Sequence, residues 1–129
     1  MGHSLHKDVI VQELTGRVVT GIGHFKIRMT NFPEVFLRAT GEDLIKGTLN
    51  VDVGRNIPAK EQFRIRGTEI GEPEQDLLFE VCRVNGLWAY RIRPCNLMTG
   101  GGGHGDHIVE IACSQRIPVN GDIEISLFR

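Results

Sequence analysis

An all-β chain folded as a closed or nearly closed barrel with one short helix is predicted by three observations. Short β-branched runs recur along the sequence, glycine turns separate them at regular spacing, and an Asn85-Gly86 pair sits between two apolar runs. The 129 residues suffice for one domain with a proper core and are too few for two. Residues 1–7 hold His3, His6 and Lys7 with little apolar content and read as a loose tail, which leaves residues 8–129 as a single barrel domain.

Taken in order, Val9, Ile10, Val11 and Leu14 form an apolar cluster, and the β-branched run 17–20 is a strand that breaks at Gly21-Ile22-Gly23. Alternation over 24–29 predicts a second strand, with Phe25, Ile27 and Met29 on one face and His24, Lys26 and Arg28 on the other. Two glycines followed by basic groups allow a phosphate cradle of backbone amides, or simply a hairpin with a solvated basic face. Asn31 can cap the one helix, with Pro33 near its first turn, Val35, Phe36 and Ala39 as its buried side and Gly41 as its end. Residues 47–53 form a strand stopped by Gly54, and Pro58 lies in the loop beyond. The run 62–70 alternates as a half-exposed strand, and 71–76 is an acidic surface turn. Strands 77–84 and 87–92 make the Asn85-Gly86 hairpin, closed by Pro94. Four consecutive glycines at 100–103 lose much backbone freedom on ordering, so that loop is expected to stay mobile until something binds it. A buried strand over 108–113 carries Glu110, and the Asn120-Gly121 turn leads to the last strand, 123–128.

Composition excludes several classes. A formal net charge of −1 supplies no long-range field for nucleic acid or a membrane surface. No apolar run approaches a membrane span and the first residues lack a signal-peptide apolar region, so the expectation is a soluble, cytoplasmic protein. Cys82, Cys95 and Cys113 are odd in number and show no Cys-x-x-Cys spacing, which fits packing in a reducing compartment rather than a disulfide framework.

The chemistry concentrates in two places. On the 47–53 strand, Leu49, Val51 and Val53 point to a core, while Thr48 and Asn50 stand on the other face about 7 Å apart. A hydroxyl and an amide oxygen at that spacing suit Mg²⁺ beside a nucleotide, and equally suit an ordinary half-buried strand. The second place holds His104, Asp106, His107 and Glu110. His104, His107 and Glu110 offer a nitrogen and oxygen set for Zn²⁺ or Fe²⁺, although the spacing matches no common helical metal motif. Alternatively Glu110, between Val109 and Ile111, is a general base with the histidines near substrate, or a strand carboxylate paired with an arginine.

The order of Gly16-Arg17-Val18-Val19-Thr20-Gly21-Ile22-Gly23, a Phe and Pro segment, Gly47-Thr48-Leu49-Asn50, then His104 with Ile108-Val109-Glu110-Ile111, Arg116-Ile117 and Asn120-Gly121-Asp122, resembles the CTP-dependent riboflavin kinase family best known from archaea. The resemblance runs from about residue 14 to the end, and Gly-Thr-Leu-Asn is its most specific piece. It implies a six-stranded cradle-loop (RIFT-type) barrel that transfers the γ-phosphate of CTP to riboflavin, giving FMN. By the same resemblance Gly21, Ile22, Gly23, His24, Phe25 and Lys26 hold the nucleotide, and Gln115, Arg116, Ile117 and Pro118 close over it. Thr48 and Asn50 carry Mg²⁺, Thr99 and Glu110 face the flavin, and Glu110 is the base. Phe25 and Lys26 occupy the place of the family's third glycine, and Gly100–Gly103 is inserted between Thr99 and His104. A barrel that binds nucleotide or flavin without catalysis is the alternative from another class.

Overall fold

A computed structural model describes residues 11–21, 23–98 and 105–129 of the chain. Seven strands and two helices follow in the order β1 (Val11–Val19), α1 (His24–Asn31), α2 (Pro33–Thr40), β2 (Leu49–Asp52), β3 (Phe63–Ile65), β4 (Gln75–Val84), β5 (Leu87–Asn96), β6 (Ile108–Ala112) and β7 (Ile123–Phe128). Six of the strands run β4-β5-β6-β2-β1-β7 and close on themselves, because the second half of β4 pairs with β7. The first half of the same β4 edge pairs with the extra strand β3. All pairings are antiparallel. The expected all-β barrel is therefore present, and closure removes the exposed edges that an open sheet leaves.

Period-two alternation sorts the strand residues onto two faces. Leu14, Val51, Cys82, Val84, Ala89, Val109, Ile111, Ile123, Ile125 and Leu127, drawn from all six barrel strands, form the interior cluster. The intervening residues Leu77, Phe79, Ile92 and Ala112 face outward and meet Ile65 of β3, Phe25 and Met29 of α1, and Val35 and Phe36 of α2. The helices thus cover one outer flank of the barrel. At the centre of this cover Phe79 stacks on Phe63 with ring centroids 4.9 Å apart and meets Phe36 and Tyr90 edge-on. Burying each such side chain contributes about 1.5–3 kcal/mol.

Several expectations are corrected. Residues 24–29 are helical, so Phe25 and Met29, one helical turn apart, face the cover while Ile27 is 61% exposed. Gly23 makes the entry with φ of 84°, a left-handed value that favours glycine. Among the described residues there are consequently two short α-helices, meeting at Phe32, and the second ends at Gly41 as expected. The strand expected over 62–70 stops at Ile65, and Gly67–Ile70 is a 3-10 turn. Its cause is Asp76, which accepts the Gly67 N–H at 2.8 Å and pairs with Arg64 at 2.7 Å. The end of the acidic turn is thereby buried rather than solvated. The Gly67 N–H and the Arg64 guanidinium hold the Asp76 carboxyl below the usual carboxylate range. Pro94 does not end β5, which continues to Asn96 with Pro94 opposite Leu77. Proline is tolerated there because β6 pairs only with residues 90–92 of β5.

The cysteines are free; Cys82 and Cys113 are buried, and burial pushes the Cys82 thiol up to about 12. Among the described residues no helix is long and apolar enough to cross a membrane.

Candidate functional site

β2 and β6 lie side by side in the register Leu49↔Ile111 and Asn50↔Glu110. Because Val51, Val109 and Ile111 are committed to the interior, alternation turns Asn50 and Glu110 together onto the outer face. Both are buried there. Thr48, just before β2, donates its hydroxyl to Glu110 Oε2 at 3.0 Å. Three residues singled out in the sequence, Thr48, Asn50 and Glu110, are thus gathered into one oxygen-rich cluster.

The glycine segment passes over this cluster. A Cβ built on Gly21 would fall on the Asn50 side-chain amide, so a larger residue here would have to displace that amide. From there the chain enters α1 through Gly23. The α1 N-terminus has no side-chain cap and no acidic residue in its first turn. Its unsatisfied amides and the positive end of the helix dipole are therefore uncompensated by side chains, the condition under which a helix start binds anions. Lys26, in the first turn, has its Cβ 3.9 Å from where a Gly47 Cβ would stand. The other end of α1 is fastened to the β2 approach, where the Gly47 N–H donates to Met29 Sδ at 3.3 Å.

On the far side of Thr48 opens a pocket of about 230 Å³, lined by Lys46, Gly47, Thr48, Gln115, Arg116 and Ile117 among others. Gln115, Arg116 and Ile117 were expected at the nucleotide, and Thr48 joins their pocket to the Asn50–Glu110 cluster. The lip of the pocket is held by Glu42: its carboxylate accepts from Ser114 Oγ at 3.1 Å and from the Tyr90 hydroxyl at 2.6 Å. Burial and the Glu42 carboxylate together push the Tyr90 hydroxyl up to about 12. The Ile45 N–H also bonds the Cys113 carbonyl at 2.9 Å, joining the two walls.

Other expected residues lie elsewhere. Pro118 turns toward the β4–β5 hairpin, where its carbonyl accepts from Asn85 Nδ2 at 2.8 Å. His107 is exposed at the opposite end of β6 from the pocket, its imidazole against Gly105. Ile22, Thr99, Gly100–Gly103 and His104 fall outside the described residues, as does the 1–7 tail. Among the described residues no group of three or more His, Cys, Asp and Glu is gathered for a metal. Two residues of this neighbourhood, Lys46 and Glu42, are not among those the sequence singles out. Lys46 is a cation two residues before Thr48, a signal visible in the sequence, whereas Glu42 carries no local signal, since its partners lie on β5 and after β6.

No known family's sequence profile matches the chain, and no curated protein matches it.

Proposed function

We propose that the chain is a phosphotransferase of the CTP-dependent riboflavin kinase type, moving the γ-phosphate of CTP to the terminal ribityl hydroxyl of riboflavin to yield FMN and CDP. The observation that carries this reading is the cluster of Thr48, Asn50 and Glu110 directly beneath the glycine entry to an uncapped helix. Phosphoryl transfer asks chiefly for positioned phosphates, charge neutralisation and an oriented hydroxyl. Amides at the start of α1, with Lys26, Lys46 and Arg116, supply the first two from either side of Thr48. The identity of donor and acceptor rests on the resemblance carried by Gly47-Thr48-Leu49-Asn50 and its flanking motifs.

Neutral hydroxyl and amide oxygens beside a carboxylate are a donor set that Mg²⁺ accepts, so these residues fit the ion the resemblance implies. Thr48 and Asn50 would hold it, and bound Mg²⁺ would supply charge neutralisation across the nucleotide phosphates. Glu110 removes the proton from the attacking hydroxyl as the new O–P bond forms, and the bond from the γ-phosphorus to the bridging oxygen of CDP breaks. The Thr48 hydroxyl bond fixes the Glu110 carboxylate in rotation and keeps base and phosphate site in register.

The test is direct. Purified protein with riboflavin, Mg²⁺ and CTP is expected to form FMN, detected by chromatography, at a lower rate when ATP replaces CTP. Absence of FMN with every nucleoside triphosphate overturns the kinase reading, and tight nucleotide or flavin binding in that case identifies a non-catalytic binding barrel.

A further inference from the structure

Inside the barrel, at the end away from Thr48, a charged residue lacks its complement. Arg91 of β5 is 1% exposed, and among the described residues its Nε and Nη1 have no hydrogen-bond partner. Only Nη2 is engaged, by the Asp106 carbonyl at 3.4 Å. A buried guanidinium without acceptors is costly enough that native interiors seldom leave one so.

The neighbouring charges do not supply the acceptor. Glu80, opposite Arg91 across the β4–β5 ladder, is itself 1% exposed and gives both carboxylate oxygens to Arg129, at 2.9 and 3.0 Å. One of those oxygens also takes the Lys60 N–H at 3.1 Å. Asp106 gives its carboxylate to Arg93 at 3.0 Å. Among the described residues the charged groups that face Arg91 are therefore two acids, Glu80 and Asp106, and two arginines, Arg129 and Arg93, each acid already matched to an arginine. Arg91 is the surplus cation. Burial pulls its guanidinium below the ordinary range, with Glu80 acting against the shift.

Access lies close by. Leu78 and Arg93, the cross-strand pair next to Glu80 and Arg91 on the inward face, line a pocket of about 230 Å³ with Pro58, Pro94, Cys95 and Asp106. Asp106 belongs to both places: it lines the pocket, and its carbonyl holds Arg91. We propose that this end of the barrel is a binding site for a small oxyanion, a carboxylate or phosphate group, which enters beside the Arg93–Asp106 pair and takes Arg91 as its buried anchor. Nε and Nη1 lie on different edges of the guanidinium, so the oxyanion meets one edge and a water the other. Guanidinium is suited to this role because it stays charged and matches oxyanions in geometry.

The test uses the full chain with inorganic phosphate and with acetate, each against sodium chloride at equal ionic strength. The Arg91 Nε–H resonance is expected to shift saturably with one or both oxyanions and to stay fixed in chloride. Tm is expected to rise by several degrees over the same concentrations. In a Lys26→Gln/Lys46→Gln background, which removes the lysine cations of the phosphate site proposed above, Arg91→Met should abolish that rise, while the background alone should keep it. A resonance unmoved by either oxyanion means that Arg91 is served by ordered water alone and overturns the proposal. So does a Tm rise that survives when Arg91→Met is added to Lys26→Gln/Lys46→Gln. Should Arg91→Met fail to fold, the resonance titration of the unaltered protein decides by itself.

Discussion

Asn50 and Glu110 face each other across one rung of the β2–β6 ladder, yet the proposed chemistry gives them separable duties. Asn50→Ala removes an oxygen from the ion and phosphate side and loosens the ground under Gly21, while Val51 stays in the interior. Folding is expected to survive, with weaker nucleotide binding and a raised Mg²⁺ requirement. Glu110→Gln keeps the shape and an acceptor for the Thr48 hydroxyl but cannot take a proton. Turnover is expected to fall by about 10²–10⁴, the range of a positioned general base, with nucleotide affinity nearly unchanged. Nucleotide titration and steady-state rates on both variants separate the two. Full activity in Glu110→Gln, or an unaltered Mg²⁺ dependence in Asn50→Ala, removes that residue from its role. Chain pattern identified both residues as polar positions on strands. It could not tell that they share a rung, because that pairing joins segments some sixty positions apart and depends on barrel closure, as the Thr48–Glu110 bond across 62 residues shows.

At the scale of elements, legibility followed how local the cause was. The β4–β5 hairpin was readable because Asn85 and Gly86 both take positive φ, 48° and 83°, which the turn demands and few other pairs provide. Helix α2 was readable from Pro33 at its start and Gly41 at its end. Helix α1 was not, since Phe25, Ile27 and Met29 alternate like a strand while Phe25 and Met29 alone already satisfy a helical face. What selects the helix is the apolar outer flank of β4, β5 and β6, which accepts Phe25 and Met29 and leaves Ile27 in water. The two conformations make opposite demands on Ile27. Phe25→Ala should cost about 3–5 kcal/mol as a buried aromatic truncation. Ile27→Lys should fall within about 0.5 kcal/mol of the parent, as exposed changes do. Urea denaturation of the two variants measures both, and a destabilisation of several kcal/mol in Ile27→Lys would restore the strand.

For the whole molecule, the arrangement of its two hydrophobic clusters sets how it unfolds. The interior cluster and the helix-covered outer cluster are not separate lobes: β4, β5 and β6 contribute alternate residues to each, Cys82 and Val84 to one and Leu77 and Phe79 to the other along β4 alone. Removing the helical cover exposes the backs of the strands whose fronts build the barrel. Opening the barrel likewise frees the strands on which α1 and α2 pack, so the two are expected to melt together. The chain carries one reporter for each. Its single tryptophan, Trp88, lies 5.3 Å from Phe128 between ring centroids and reports the seam where β7 closes the barrel. Its single tyrosine, Tyr90, is bonded to Glu42 and to the Thr40 carbonyl and reports the end of α2. Trp88 fluorescence and Tyr90 ring resonances followed through urea should give coincident midpoints. Phe36→Ala in the cover and Leu127→Ala in the interior should each lower both midpoints equally, by about 2–5 kcal/mol of stability. If Phe36→Ala moves the Tyr90 midpoint and leaves that of Trp88 in place, the helices are a separately melting layer and the shared strands do not couple the clusters.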